Sequence, residues 1–143
     1  MISSTSDYAL RAVLVLAQAE PGSPMRADEV ARATGSPANY LAKTLNALAK
    51  AGIVTSARGP RGGFTLAVAS DDLTLAQIVD CFDEARPNTR CLLGTRPCDA
   101  RHPCRAHERW TAVQAKRRAA LADTTVADLL IGSFDESAFV AAD

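Results

Sequence analysis

The sequence predicts a mainly α-helical protein that carries one β-hairpin. Apolar residues recur at helical spacing in most segments of the 143-residue chain. Strand-like runs occur at residues 53–56 and 64–68, and turn-forming residues join them. With 48% apolar and 22% charged residues, the composition is that of an ordinary folded protein. A chain of this length can bury one sizeable core but not two, so we expect one main folded unit with appended segments.

The first predicted helix covers residues 8–19 and is apolar on nearly every face. Ser4 and Asp7 precede it with the spacing of a capping box, which marks the start of a helix. A helix without a polar face is normally buried on all sides. We therefore expect this helix to lie at the centre of the fold.

Two further helices follow, separated by a short turn. The first is predicted at Ala27–Thr34, and Gly35 supplies the turn after it. Ser36 is a good N-cap, and Pro37 suits the first position of the next helix, which runs to about residue 51. Two helices joined in this way predict a helix-turn-helix.

A β-hairpin with a basic, glycine-rich tip follows the second of these helices. Residues 53–68 contain both strand-like runs, and the segment RGPRGG at 58–63 joins them. Three helices followed by a hairpin is the order of a winged helix-turn-helix. The sequence therefore predicts a mainly α fold with a winged helix-turn-helix DNA-binding domain, in which the hairpin is the wing.

Charge and helix position predict which residues contact DNA. Residues 1–68 carry seven Lys/Arg and four Asp/Glu, a formal charge of +3, whereas the remaining residues sum to −3. The N-terminal end of the second helix of a helix-turn-helix lies nearest the base edges. Arginines at a wing tip suit the negative potential of a narrow minor groove. The predicted DNA-contacting residues are Ser36, Ala38, Asn39, Tyr40 and Lys43 on the reading helix and Arg58, Arg61 and Gly62 on the wing. Two alternatives stay open, namely that Tyr40 belongs to the core and that the wing tip is a simple basic turn.

The C-terminal half contains a helix, an irregular cysteine-rich loop, a long helix and a short final helix. Thr74 and Gln77 form a capping box for a helix to about residue 82, with Cys81 on its apolar face as a small buried hydrophobe. The long helix, residues 105–122, is too thinly apolar to be a core helix of a monomer. Its small residues suit close packing against a second copy, so we expect a homodimer.

These segments predict four regions. Residues 1–84 form the winged helix-turn-helix region with its wing at 53–68, and residues 85–104 form a cysteine-rich sensor loop. Residues 105–131 form the dimerisation helix and the short final helix, and residues 132–143 a peripheral tail. No apolar run approaches the ~18 residues that cross a bilayer, and no secretion signal is recognisable. We therefore expect a cytoplasmic protein without a membrane partner.

Three cysteines and a histidine lie close together, with the spacing Cys91-x6-Cys98-x5-Cys104-x2-His107. Thiolates are soft ligands, and three in one short segment predict an iron–sulfur cluster or a zinc ion. In the cytoplasm, cysteines favour metal or redox chemistry over structural disulfides. The surrounding segment is polar and broken by prolines, so it offers no core for these cysteines to fill. The three cysteines are therefore predicted metal ligands, and the histidine is a candidate fourth ligand.

Several motifs carry a family resemblance over about residues 1–131. They are the cysteine trio and the segments SDYALRA at 6–12, LAKxLxxLxxAGIV at 41–54, RGPRGGF at 58–64 and TTVADL at 124–129. Together they resemble the IscR/NsrR family of bacterial iron–sulfur winged-helix transcription regulators. The resemblance implies a dimer built on the long C-terminal helix and a palindromic or near-palindromic operator. It also implies an iron–sulfur cluster near the dimer interface, whose state alters DNA affinity.

The resemblance offers two candidates for the fourth cluster ligand. In the iron–sulfur homeostasis branch, which carries a 2Fe–2S cluster, the ligand is a histidine three residues after the last cysteine, and His107 matches that place. In the nitric-oxide-sensing branch, which carries a 4Fe–4S cluster, an aspartate in the first helix of the partner subunit can serve, and Asp7 matches it. Because Tyr8 follows Asp7, the resemblance favours the nitric-oxide branch and a 4Fe–4S cluster over a 2Fe–2S cluster. In the alternative, Asp7 complements the positive end of its helix and His107 is a solvated residue.

The combination predicts a dimeric transcriptional repressor that binds double-stranded operator DNA under the control of an iron–sulfur cluster sensing nitric oxide, redox state or iron. Two alternatives keep the winged helix. In one, two of the cysteines form a regulatory disulfide without a cluster; in the other, a zinc ion stabilises the loop. An enzyme is not predicted, because the chain has no phosphate-binding loop or nucleophile elbow and only two histidines.

Overall fold

The fold is mainly helical with one antiparallel hairpin, as the sequence predicts. The computed structural model describes residues 2–83, 91–93 and 97–131, so the predicted tail at 132–143 and parts of the cysteine-rich loop lie outside the described residues. Within these ranges, no helix combines the length and apolar character needed to cross a membrane. In chain order the elements are α1 Ser4–Gln18, α2 Ala27–Thr34, α3 Ala38–Lys50, β1 Val54–Ala57, β2 Gly63–Leu66, α4 Leu75–Asp83, α5 His107–Asp123 and α6 Val126–Leu130.

Helix α1 forms the centre of the fold, as its apolar sequence predicts. It packs against α2, α3, α4, α6 and β2, and most of its residues from Ala9 to Leu16 are buried. The predicted capping box at Ser4 and Asp7 is not formed, because Ser3 and not Ser4 is the N-cap. The backbone of Ser3 is extended, and its Oγ accepts a hydrogen bond of 3.1 Å from the N–H of Ser6. Serine suits an N-cap at either position, so the local sequence does not distinguish the two.

Helices α2 and α3 form the predicted helix-turn-helix. Gly35 ends α2 in the left-handed conformation (φ 64°), which glycine adopts without strain. The prediction that Ser36 caps α3 is wrong, since Pro37 is the N-cap and the helix starts at Ala38. The Ser36 side chain turns inward instead, where its hydroxyl is buried and hydrogen-bonded to the hydroxyl of Thr34 (2.8 Å).

The wing is anchored on the chain segment that leads into α2. Strands β1 and β2 pair antiparallel with Val54 opposite Leu66. Met25 adds a third row to this ladder through hydrogen bonds of 3.0 and 2.7 Å with the backbone of Phe64. Gly63 (φ 155°) lies against Met25 so closely that a Cβ would come within 2.6 Å of the Met25 carbonyl oxygen. Only glycine fits there, so this position fixes how closely the wing approaches the body of the protein.

Helix α4 packs on α1 and carries the predicted capping box. The Thr74 N–H donates to Gln77 Oε1 (2.8 Å), and the Gln77 N–H donates to Thr74 Oγ1 (3.3 Å). The prediction that Cys81 is a buried hydrophobe is wrong, because this residue is exposed. The buried stripe of the helix runs through Ile78 and Phe82, and Cys81 lies beside it with its Sγ 3.2 Å from the Gln77 carbonyl.

Helices α5 and α6 differ sharply in burial. None of the 17 residues of α5 is buried, in keeping with a helix too thinly apolar for the core. Helix α6 returns to α1, where Val126 is fully buried and its N–H donates to the Leu73 carbonyl (2.8 Å). The Leu75 N–H donates to the Thr124 carbonyl (2.9 Å) in the same short ladder. The final helix therefore packs on the winged-helix core, and the predicted division into four regions stays a prediction.

Candidate DNA-reading surface and metal-ligand cluster

The N-terminal turns of α3 present most of the predicted DNA contacts to solvent. An amide, a methyl, a phenol and an ammonium group are exposed there, on Asn39, Ala38, Tyr40 and Lys43. An amide can pair with an adenine edge, a methyl can contact thymine, and an ammonium suits phosphate. Ser36 is the exception, because its buried hydroxyl supports the turn and does not face solvent. The individual contacts stay predictions, but four of the five side chains are accessible on one surface.

Tyr40 is not a core residue, since 48% of it is exposed. Its hydroxyl lies 3.2 Å from Thr5 Oγ1, and its ring meets the ring of Tyr8 edge-on with centroids 5.8 Å apart. Thr5 and Tyr8 both belong to the first turns of α1. A side chain of the reading helix is thus held in place by the start of the central helix.

The wing tip is a narrow turn with two exposed arginines, Arg58 and Arg61. The Gly62 N–H donates to the Gly59 carbonyl (2.9 Å) and closes the turn. A Cβ on Gly62 would collide with the carbonyl oxygen of Ala57, so the tip has no room for a side chain at that position. Because Gly59 and Gly62 carry no side chains, the backbone of the tip can approach a DNA groove between Arg58 and Arg61.

Arg26 joins this basic tip although the sequence does not single it out. Its Nη2 donates to the carbonyl of Pro60 (3.3 Å), which lies between the two wing arginines in sequence. The contact links residues 34 positions apart, so no local pattern could reveal it. Met25 pairs with Phe64 in the folded protein, and this pairing brings the next residue, Arg26, to the wing.

The predicted cysteine ligands and His107 line one cavity of about 390 Å³. They lie in two close pairs, with Cys91 Sγ 3.2 Å from Cys104 Sγ and Cys98 Sγ 3.0 Å from His107 Nδ1. The start of α5 fixes the last two donors relative to each other, because the His107 N–H donates to the Cys104 carbonyl (3.0 Å). Within residues 2–83, 91–93 and 97–131, no three His, Cys, Asp or Glu side chains converge to hold a single metal ion. The four candidate metal ligands therefore line the cavity as two separate pairs.

The cysteine thiols differ in acidity. A hydrogen bond from Cys91, followed by backbone N–H groups at the start of α5, lowers the pKa of Cys104. Partial burial, followed by the negative charges of the neighbouring thiolates, raises the pKa of Cys98. Cys104 is thus the more readily ionised donor, and Cys98 gains most from a cation that compensates its charge.

Asp7 and His107, the two candidates for the fourth ligand, have different surroundings. Asp7 lies on α1, outside the lining of the cysteine cavity, and forms a salt bridge with Arg11 (2.8 Å). His107 lines the cavity itself. Two other polar residues in the lining had no predicted role. They are Asp99, which accepts from the Arg101 N–H (2.9 Å), and His102, whose Nδ1 lies 3.3 Å from Asp99 Oδ2.

The hydrogen bonds on Asp99 lower its pKa, chiefly through the Arg101 backbone N–H and then through His102. The carboxylate is therefore charged and orients an imidazole beside the cysteines, an arrangement known from histidines near metal sites. The Asp-x-Arg spacing, which is compatible with an Asx turn, was the available sequence signal for this residue.

The fold and its sequence match proteins of one class. A family model described as "Rrf2: Iron-dependent Transcriptional regulator" matches residues 2–131. A protein of Aquifex aeolicus, named as an HTH-type transcriptional regulator, is 34% identical over 132 residues that cover 91% of each chain. Among solved structures, T. potens IscR has a TM-score of 0.70 and 27% identity, and the match covers 91% of this chain and 85% of the IscR chain. CymR of B. subtilis, named as a global cysteine regulator, has a TM-score of 0.72 and 25% identity, with 90% and 95% covered.

These relatives are regulators, so the prediction that the chain is not an enzyme is confirmed. The predicted winged helix-turn-helix is confirmed by the hairpin after α3 and by the structural likeness to IscR and CymR. The predicted resemblance to IscR-type regulators is confirmed as well. The chain belongs to the Rrf2 family and is a DNA-binding transcriptional regulator with a winged helix.

Proposed function

We propose that this regulator is a homodimeric repressor whose operator binding is controlled by an iron–sulfur cluster held by Cys91, Cys98, Cys104 and His107. The proposal rests on two pairs of side chains, Cys91 with Cys104 and Cys98 with His107. They line one cavity at the start of α5. The description of the family as iron-dependent agrees with iron as the metal. When bound, the cluster supplies a centre that reacts with oxidants and nitric oxide, and the protein residues convert its state into DNA affinity.

The donor geometry favours a cluster over a single zinc ion. A structural zinc ion takes four donors at one point, each about 2.0–2.3 Å away. Here the donors form two pairs, and no group of three among the described residues converges. Two pairs of donors match a 2Fe–2S cluster, in which each iron takes two protein ligands. The pairing therefore supports 2Fe–2S, in contrast to the 4Fe–4S cluster that the Asp7–Tyr8 resemblance favours.

The surroundings of the two candidate fourth ligands support the same assignment. Asp7 is engaged by Arg11 in a 2.8 Å salt bridge on its own helix and lies outside the cavity lining. His107 already lines the cavity beside Cys98, at 3.0 Å. We therefore assign the fourth position to His107 in this proposal.

Contacts at the end of α4 reach the reading helix through the start of α1. Asp83, the last residue of α4, accepts a hydrogen bond of 3.3 Å from the N–H of Ser3, which caps α1. Two residues after Ser3, Thr5 contacts Tyr40 of the reading helix. A displacement of Asp83 would thus act on the start of α1 and on Tyr40. Coupling between two sites typically amounts to about 1–3 kcal/mol, or roughly 5–150-fold in affinity.

Helix α5 supports the proposed homodimer. Its residues are all at least partly exposed, and Val113 is among its exposed apolar residues. Sedimentation that finds only monomer at micromolar concentration would contradict this part of the proposal.

The test is a set of spectra on anaerobically purified protein. We expect a brown wild-type protein with iron and labile sulfide in equal amounts, and an electron paramagnetic spectrum of a 2Fe–2S centre after reduction. Cys98→Ala should be colourless, whereas Cys81→Ala should keep the colour because Cys81 is exposed and lies outside the cavity lining. His107→Ala should alter the spectrum and Asp7→Asn should not. Zinc without iron in the wild-type protein would refute the proposal.

One observation favours a second function, a thiol switch without a cluster. Cys91 and Cys104 lie with their sulfurs 3.2 Å apart, and the lowered pKa of Cys104 increases the fraction of its reactive thiolate form. Hydrogen peroxide would oxidise both thiols to one disulfide and be reduced to two water molecules. In that case the protein is colourless, a reductant reverses the effect of peroxide on DNA binding, Cys104→Ala abolishes the response and Cys98→Ala retains it.

A further inference from the structure

We propose that Arg26, which precedes α2 and lies outside the wing, is a third phosphate-binding arginine of the wing tip. The inference deepens the DNA-binding function and rests on the predicted contact of the wing with DNA, but not on the presence of a cluster. Arg26 is exposed, and its guanidinium reaches the tip through the 3.3 Å hydrogen bond to the Pro60 carbonyl.

The backbone of Arg26 is fixed on both sides. The preceding residue, Met25, exchanges two hydrogen bonds with Phe64 in β2. The N–H of Arg26 itself donates to Glu29 Oε2 (2.7 Å) at the start of α2. Because this segment and the wing are joined by a ladder, the side chain of Arg26 starts from a defined position beside the hairpin. The fold therefore places the Arg26 backbone where its guanidinium can reach Pro60.

The chemistry of the cluster of cations fits a phosphate. A guanidinium has five N–H donors, and the hydrogen bond to Pro60 uses one of them. Arg58 and Arg61 flank Pro60 in sequence, so the Arg26 guanidinium binds the backbone of the turn that carries both wing arginines. The Glu29 carboxylate, bound to the Arg26 backbone, offsets one of these charges and leaves a net excess of positive charge. A DNA phosphate would satisfy the remaining donors and relieve the repulsion among the cations.

The experiment measures the salt dependence of binding to a random-sequence DNA duplex, which requires no knowledge of the operator. The full chain is compared with Arg26→Gln, Arg26→Lys and a control, Arg32→Gln. Arg32 is an exposed arginine on α2 whose only ion pair shown is with Asp28 (3.5 Å), on its own helix. Gln at position 26 can still donate to the Pro60 carbonyl but carries no charge, so it separates a phosphate contact from mere support of the wing.

Each lost phosphate contact should lower the slope of log K against log salt by about 0.9. Between 50 and 200 mM salt, the affinity of Arg26→Gln should then fall about 3.5-fold less than that of the wild type if one wing contacts the duplex, and about 12-fold less if both wings of the proposed dimer do. Arg26→Lys should keep the wild-type slope, because an ammonium also binds phosphate, and Arg32→Gln should keep it as well. An unchanged slope in Arg26→Gln, an equal loss in Arg26→Lys, or an equal loss in Arg32→Gln would overturn the inference. A wild-type protein that binds the duplex without salt dependence would instead refute the wing contact itself.

Discussion

Replacing Val126 with alanine tests whether the last helix belongs to the winged-helix core. Val126 is fully buried against α1 although it lies beyond the exposed helix α5. The substitution removes two methyl groups, each worth about 0.8 kcal/mol of transfer free energy. The cavity left behind adds to this loss, so the free energy of unfolding should fall by about 2–3 kcal/mol. Leu129→Ala is the matched control on the same helix, because Leu129 is 38% exposed and should cost less than about 1 kcal/mol.

Urea unfolding followed by circular dichroism measures this difference. With an m-value of about 2 kcal/mol per M, the Val126→Ala midpoint should lie about 1 M below that of the wild type. All variants are compared at one protein concentration, since dimerisation would make the midpoint depend on concentration. If Val126→Ala and Leu129→Ala shift the midpoint equally, α6 does not form part of the core and the packing argument is wrong.

Three further predictions concern the wing, the reading helix and the final cap. Gly62→Ala should weaken duplex binding and flatten its salt slope without unfolding the core, because the new Cβ collides with the Ala57 carbonyl; wild-type binding in filter or anisotropy assays would contradict this. Tyr40→Phe removes the hydrogen bond to Thr5 but keeps the ring contact. It should therefore reduce the difference in DNA affinity between cluster-loaded and cluster-free protein. An unaltered difference would exclude coupling through the Thr5–Tyr40 contact. Asp128 has a pKa lowered by hydrogen bonds from Thr125, so its contribution to stability is full above the unfolded pKa and is lost as pH falls through the folded pKa. Asp128→Asn should therefore lose stability near neutral pH and converge with the wild type in acid, as followed by thermal unfolding across pH.

The sequence reveals those parts of the fold that depend on local patterns. The helix-turn-helix was predictable because Gly35 ends a helix and because the spacing of Leu41, Leu45 and Leu48 marks the buried face of the next one. The wing was predictable because RGPRGG interrupts two strand-like runs. The four donors around the cavity were predictable from their spacing alone, since soft ligands seldom cluster in a polar segment without a purpose.

Contacts between distant segments were not predictable. Arg26 reaches Pro60, and Asp83 reaches Ser3, only because the fold brings separate elements together. The errors have a similar cause. Cys81 lies near Ile78 and Phe82 in its helix, but its burial depends on what packs over it, and the local pattern does not report that. Ser36 suits an N-cap in isolation, yet the hydroxyl of Thr34 draws it inward.

The position of α5 explains how a small segment could control DNA binding. Helix α5 has no buried residue and packs on α4, and its two ends add to what fixes its orientation. The C-terminal end is held by the hydrogen bonds of residues 124–126 to residues 73–75 and by buried Val126. The N-terminal end is His107, which is both the first residue of the helix and one of the four donors around the cavity. Occupation of that cavity would therefore restrain the free end of α5, and its loss would release the proposed dimer helix while the reading domain keeps its core.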